Sequence, residues 1–192
     1  ARIVAKAAKV SWFTRTRGKK DTDILEEVER ISLGRVLVCR GRLRITEFIT
    51  GYEKRSTSGN RLLTIAPLKA PPQVFETEGL WFVIPDSIRA SLEEKFLNYM
   101  ASIHALEHAA IGLLPLLIMA DRNDFGGIST LLHSQTGLSG VFIYDGLPGG
   151  AGLTRQAFPD ARGLLEATLK AVAACPCEDG CPSCVHSPKC GS

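Results

Sequence analysis

The chain has 192 residues, 45% of them hydrophobic and 22% charged, an ordinary globular composition with enough length for one large domain or two small ones. No uninterrupted apolar run approaches the roughly 18 residues that would cross a bilayer; the most apolar stretch, IGLLPLLIMA, is broken by Pro115, and no membrane partner is expected. The net charge is +3, but the first 60 residues hold 14 Lys or Arg against 7 Asp or Glu, while the remainder is acidic, an asymmetry that hints at a nucleic-acid-facing surface.

In chain order, the N-terminal ARIVAKAAKVSWF lacks an apolar leader and a cleavage site, and the expected location is the cytoplasm. An initial Ala is read as excision from a longer chain. From residue 1 to about 85 the sequence reads as strands. KVSWFTRTR, RVLVCRGRLRITEFITGY and LWFVI are rich in β-branched and aromatic residues and are separated by turn residues. A small antiparallel sheet or partly closed barrel is expected. Within it, CRGRLRI puts Arg40, Arg42 and Arg44 at alternate positions. On a strand they project from one face about 7 Å apart, a row suited to phosphates. Arg15, Arg17, Lys19 and Lys20 follow Trp12 and Phe13, which offer stacking surfaces. The competing reading is a solvated edge face, where Lys and Arg discourage aggregation. Cys39, alone in a strand, reads as a small core residue.

The rhythm changes at Pro85. DSIRASLEEKFLNYMASIHALEHAAIGLLPLLIM has helical spacing, with Asp86 or Ser87 as the expected cap and Pro115 as the expected end or kink. HALEH sets His104, Glu107 and His108 on one helix face. The order H-x-x-E-H can bind zinc through the two histidines with the glutamate as a base, giving a metal-dependent hydrolase or nuclease. Such a site needs a third protein ligand, for which Asp121, Asp124 and Asp145 are available. The plainer reading is a polar helix face bonded to neighbouring loops. GVFIYDGLPGGAGLTRQAF reads as a buried strand, a Gly-rich turn and a helix start. Its glycines could cradle an anion, but no G-x-x-x-x-G-K-[ST] sequence occurs, and a turn with positive φ is the expected role. ATP hydrolysis is not expected of this chain alone. ARGLLEATLKAVAAC is a second amphipathic helix leading into CPCEDGCPSCVHSPKC.

That last segment holds five of the six cysteines. Clustered thiols without a secretory leader read as metal ligands before disulfides. Cys181-Pro-Ser-Cys184 has the two-residue gap that presents both sulfurs to one ion, and Cys175 and Cys177 supply a second pair, with Gly180 allowing the return. One structural Zn²⁺ is expected, with Cys190 the main rival for a ligand position and His186 a weaker one. The fold class is α+β: a basic β-rich part over 1–85, a mainly helical part with a central strand over 86–174, and a zinc-binding tail over 175–192. A zinc-organised protein-interaction module is a further possible reading of such a chain.

Taken together, HALEHA, DRNDFGG, IYDGLPGGAGLT and the terminal cysteines resemble the four-cysteine zinc-binding domain at the C-terminus of MrfA-type DNA-repair helicases, shared with Hrq-type helicases. The resemblance is specific from Ser102 to Gly191 and general in the first half, where YEKRS is similar. It implies a superfamily-two 3′-to-5′ DNA helicase acting in repair. RecA-like lobes on the same polypeptide would carry ATP and Mg²⁺, and single-stranded DNA would be the ligand. It also implies Cys175, Cys177, Cys181 and Cys184 as the zinc ligands, in an accessory domain that packs on the motor and helps guide the strand. No catalytic role for His104, Glu107 or His108 comes with it.

Overall fold

The computed structural model describes residues 4, 6–178 and 180–185. They form two compact units: Ala1–Lys20 with Thr46–Gln73, and Asp21–Ile45 with Val74–Ser192. Two long strands, β1 (Trp12–Leu33) and β2 (Val36–Ser56), contribute to both, joined by a turn in which Gly34 has φ +62°. An L side chain is strained at that φ, which is why glycine stands there.

In the smaller unit, β3 (Leu62–Pro67) pairs antiparallel with β2 from Gly51↔Pro67 to Arg55↔Leu62. Lys54 lies 4.0 Å over the Trp12 ring and Lys19 lies 5.2 Å over Phe48. Trp12 beside the basic run, and Lys19 within it, are therefore engaged in intramolecular cation–π contacts.

The larger unit is built around β4 (Gln73–Ile84), β5 (Phe125–Thr130) and β6 (Ser139–Asp145), in the strand order β1-β2-β4-β6-β5. β6 pairs antiparallel with β4 on one side (Gly79↔Tyr144 to Ile84↔Ser139) and with β5 on the other (Phe125↔Asp145 to Thr130↔Gly140). Both central strands are apolar on both faces, as strands covered on both sides must be. Leu80, Phe82 and Ile84 join Val38, Val141 and Ile143 in the core beneath the helices. Trp81 and Val83 join Cys39, Leu43, Ile45, Phe142 and Tyr144 on the other face, where Trp81 stacks on Phe142 at 6.0 Å. Cys39 is a core residue, as expected, and burial pushes its thiol up to about 11.

The loop at residues 131–138 helps close that second face. His133 packs 4.7 Å from Phe142 and its Nε2 meets the Thr22 carbonyl at 2.9 Å. The Gln135 amide imitates a strand residue, accepting from Ile24 N at 2.6 Å and donating to Ile24 O at 2.8 Å. These bonds bring the β5–β6 loop to the Thr22 and Ile24 backbone of β1.

The expected single helix after Pro85 is two: α1 (Asp86–Glu93) and α2 (Tyr99–Leu117). Phe96 adopts φ +57° between them, and α2 restarts on Asn98, whose side chain accepts from Ala101 N at 3.0 Å. Neither Asp86 nor Ser87 caps α1; Pro85 holds that position without a side-chain bond. Pro115 sits inside α2, which runs on to Leu117, because a proline in the last turn forfeits a single backbone bond. At 19 residues and mean hydropathy 1.4, α2 is long and apolar enough to cross a bilayer; here it packs on β5, β6 and α4 (Ala161–Ala173). Leu114 is fully buried in that packing. Leu114→Ala should cost about 2–5 kcal/mol in urea unfolding; a loss below about 1 kcal/mol would contradict its core role.

Candidate metal centre

α4 delivers the chain to the cysteines. Asp160 caps it by accepting from Gly163 N at 3.2 Å, Leu164 anchors it in the core, and Cys175 N closes its last turn on Val172 O at 3.2 Å. The chain then runs through Cys177 and reverses at Gly180, whose φ is +68°. Val185 N bonds to Cys181 O at 3.0 Å, closing the turn that carries Cys184. As a result the sulfurs of Cys175, Cys177 and Cys181 lie within 4.8 Å of one another, and the Cys184 thiol is within hydrogen-bond reach of Cys181 and Cys175.

The electrostatics of this cluster fit a thiolate-bound cation. The backbone N–H groups of Cys184 and Ser183 point at the Cys181 sulfur and pull its pKa down to about 6. Cys177 and Cys184 are pushed up to about 11, chiefly because each hydrogen-bonds to Cys181 and keeps its proton to do so. Three sulfurs this close cannot all ionise without a positive charge between them, and a dication supplies it. Cys190 and His186, the sequence's alternative ligands, lie outside the described residues.

A second group stands on α2. His104 Nδ1 lies 3.2 Å from Glu107 Oε2 and 3.0 Å from Ser129 Oγ on β5. His108 Nδ1 meets the Val185 carbonyl at 2.7 Å, and the two imidazole rings are 4.3 Å apart. Glu107 and His108 are each only 5% exposed, and burial lowers the His108 pKa. The third ligands considered from sequence do other work. Asp121 and Asp124 form a capping box on the 3-10 turn Arg122–Asp124. Asp145 is fully buried and accepts from Ala151 N, Leu153 N and Thr154 N at 2.7, 3.0 and 2.9 Å. It thus fills the anion position of the Gly-rich turn before α3 (Leu153–Ala157), in which Gly149, Gly150 and Gly152 all have positive φ. The turn is folded around the chain's own carboxylate.

Arg40, Arg42 and Arg44 alternate with buried Gly41, Leu43 and Ile45 on β2, sharing a face as expected. Each has a carboxylate partner: Arg40 bonds Glu29, while Arg42 and Arg44 share Glu76 at 2.7 and 3.2 Å. Arg40 also lies 5.7 Å over the Phe158 ring.

Residues 106–185, which run from the HxxEH helix to the end of the cysteine turn, match the family described as MZB, the MrfA Zn-binding domain. A protein of Methanocaldococcus jannaschii, MJ1572.1, is 37% identical over 93 residues, which cover 47% of this chain and 83% of that protein. The chain belongs to the MrfA Zn-binding domain family. It is therefore a zinc-binding domain. The helicase HRQ1 of Saccharomyces cerevisiae is 29% identical over 194 residues, and the helicase YprA of Bacillus subtilis is 27% identical over 177 residues. The alignments take in 94% and 92% of this chain but only 18% and 23% of those curated relatives. A DNA-bound crystal structure of DUF1998 helicase MrfA shares the fold, with TM-score 0.63 and 24% identity over 96% of this chain and 24% of that one.

For an MrfA Zn-binding domain, the cysteine spacing was the readable signal. The groups that sequence reasoning missed are the ones that join distant segments. Ser129 is an ordinary strand serine, and the Val185 contribution is a backbone carbonyl, which no motif can reveal. Glu76, which holds two arginines from a neighbouring strand, carries no motif either.

Proposed function

We propose that this chain is the zinc-stabilised accessory domain of an ATP-dependent 3′-to-5′ DNA helicase of DNA repair, working in the cytoplasm. RecA-like lobes of the same polypeptide would supply ATP and Mg²⁺ chemistry, and single-stranded DNA would be the ligand. The observation that carries this reading is the thiol cluster at the end of a chain that aligns over more than nine-tenths of its length with two helicases. Zinc would be held by Cys175, Cys177, Cys181 and Cys184, and its role is structural: it gives a fold to a tail with no core of its own. The strand-rich part over 1–85 would face DNA and the part over 86–174 would carry the tail. In the complete polypeptide, Cys177→Ser should lower unwinding more than ATP hydrolysis. Unwinding unaffected by loss of the zinc would overturn the reading.

Arg40, Arg42 and Arg44 are the proposed DNA contacts. Their pairing with Glu29 and Glu76 fits that role, because exposed ion pairs are worth only about 0–1 kcal/mol and phosphates can replace the carboxylates. Replacing all three by alanine should reduce the slope of log K against log salt for single-stranded DNA by about 2. Glu76→Gln should tighten binding by releasing Arg42 and Arg44. An unchanged slope in the triple variant would remove this surface from the interface.

A further inference from the structure

We propose that His104, Glu107 and His108 form a second metal site, separate from the thiol cluster, that takes a divalent first-row transition ion such as Zn²⁺, Fe²⁺ or Co²⁺. One nitrogen of each imidazole and one carboxylate oxygen lie within 4.8 Å of one another. Bonds of about 2.0–2.2 Å to a tetrahedral ion hold ligand atoms roughly 3.3–3.6 Å apart, so an ion would draw these atoms together by up to about 1.5 Å. Two imidazoles and a carboxylate select borderline transition ions over Mg²⁺ and Ca²⁺, which prefer oxygen, and over ions that demand thiolates.

The surroundings are built as a metal site's would be. A carbonyl oxygen can only accept, so His108 donates Nδ1–H to Val185 O, which leaves Nε2 as its nitrogen for a metal. Ligating histidines are oriented in this way by a bond from their other nitrogen. Ser129 Oγ meets His104 from β5 and fixes the second ring. Gly127 stands where any Cβ would collide with the Glu107 carboxylate, and glycine there makes room for it. The Glu107 side chain is buried, with its Oε2 3.2 Å from His104 Nδ1. The His104 side chain is 31% exposed, which opens the site to solvent on one side and leaves room for a further ligand.

The test is metal content and Co²⁺ titration of the intact chain purified without oxygen. Two metal equivalents are expected. Glu107→Gln and His104→Asn should each reduce the count to one while keeping the intense thiolate-to-Co²⁺ absorption. Cys177→Ser should remove that absorption and keep the weaker band of the N/O site. His104 is partly exposed, so His104→Asn remains informative if Glu107→Gln does not fold. One equivalent in the parent chain under excess Co²⁺, or two equivalents retained in His104→Asn, would overturn the proposal. In either case these residues would be a hydrogen-bonded clamp between α2, β5 and the tail.

Discussion

Cys181→Ser is expected to abolish stoichiometric zinc binding by the thiol cluster and to release the tail that follows α4. Cys181 is the sulfur to which the Ser183 and Cys184 amides point, and its pKa of about 6 makes it the thiolate formed first as an ion approaches. A serine hydroxyl has neither the acidity nor the softness to replace it. Cys190→Ser, by contrast, should retain the full zinc count. The loss should also reach α2, because His108 holds the carbonyl of Val185, at the end of the same turn. Zinc content, proteolysis of the tail and Tm measure these effects together. Full zinc retention in Cys181→Ser would exclude it from the ligand set, and zinc loss in Cys190→Ser would move Cys190 into it.

Asp145→Ala should be the most damaging substitution away from the cysteines. The Asp145 carboxylate satisfies the N–H groups of Ala151, Leu153 and Thr154 from a fully buried position at the end of β6. Thr77 Oγ1 adds a bond to the Asp145 carbonyl at 2.8 Å, tying β4 to the same turn. Alanine would leave three amides without their acceptor, at a cost of about 3–5 kcal/mol. Asn keeps one acceptor oxygen and should lose roughly half as much. Urea unfolding measures both. A loss below about 1 kcal/mol for Asp145→Ala would mean that the turn does not depend on this carboxylate.

Several features were legible because they are local. A Cys-x-x-Cys turn, apolar residues at helical spacing and a cluster of glycines after a strand each state their geometry within a few residues. The break at Phe96 was less legible, since LEEKFLNY has no glycine or proline to announce it. Nor did DFGGIST announce an edge strand: β5 is short, contains two glycines and is defined by its pairing with β6.

The sequence by itself determined the α+β class, the clustering of cysteines after the last helix, the Gly-rich turn and the alternation of Arg40, Arg42 and Arg44, because each depends on spacing along the chain. Only the tertiary structure decided what those groups meet. It placed β6, from the helical half, against β4, and brought Gln135 to the backbone of Ile24. It set Glu76 between two arginines, spent Asp145 on its own turn, and gave His108 the carbonyl of Val185. The physical reason is the same in each case. A buried charge, a strand edge or an imidazole needs a partner, and any of several residues far along the chain could serve. Only the packing of strands and helices determines which of them comes within reach.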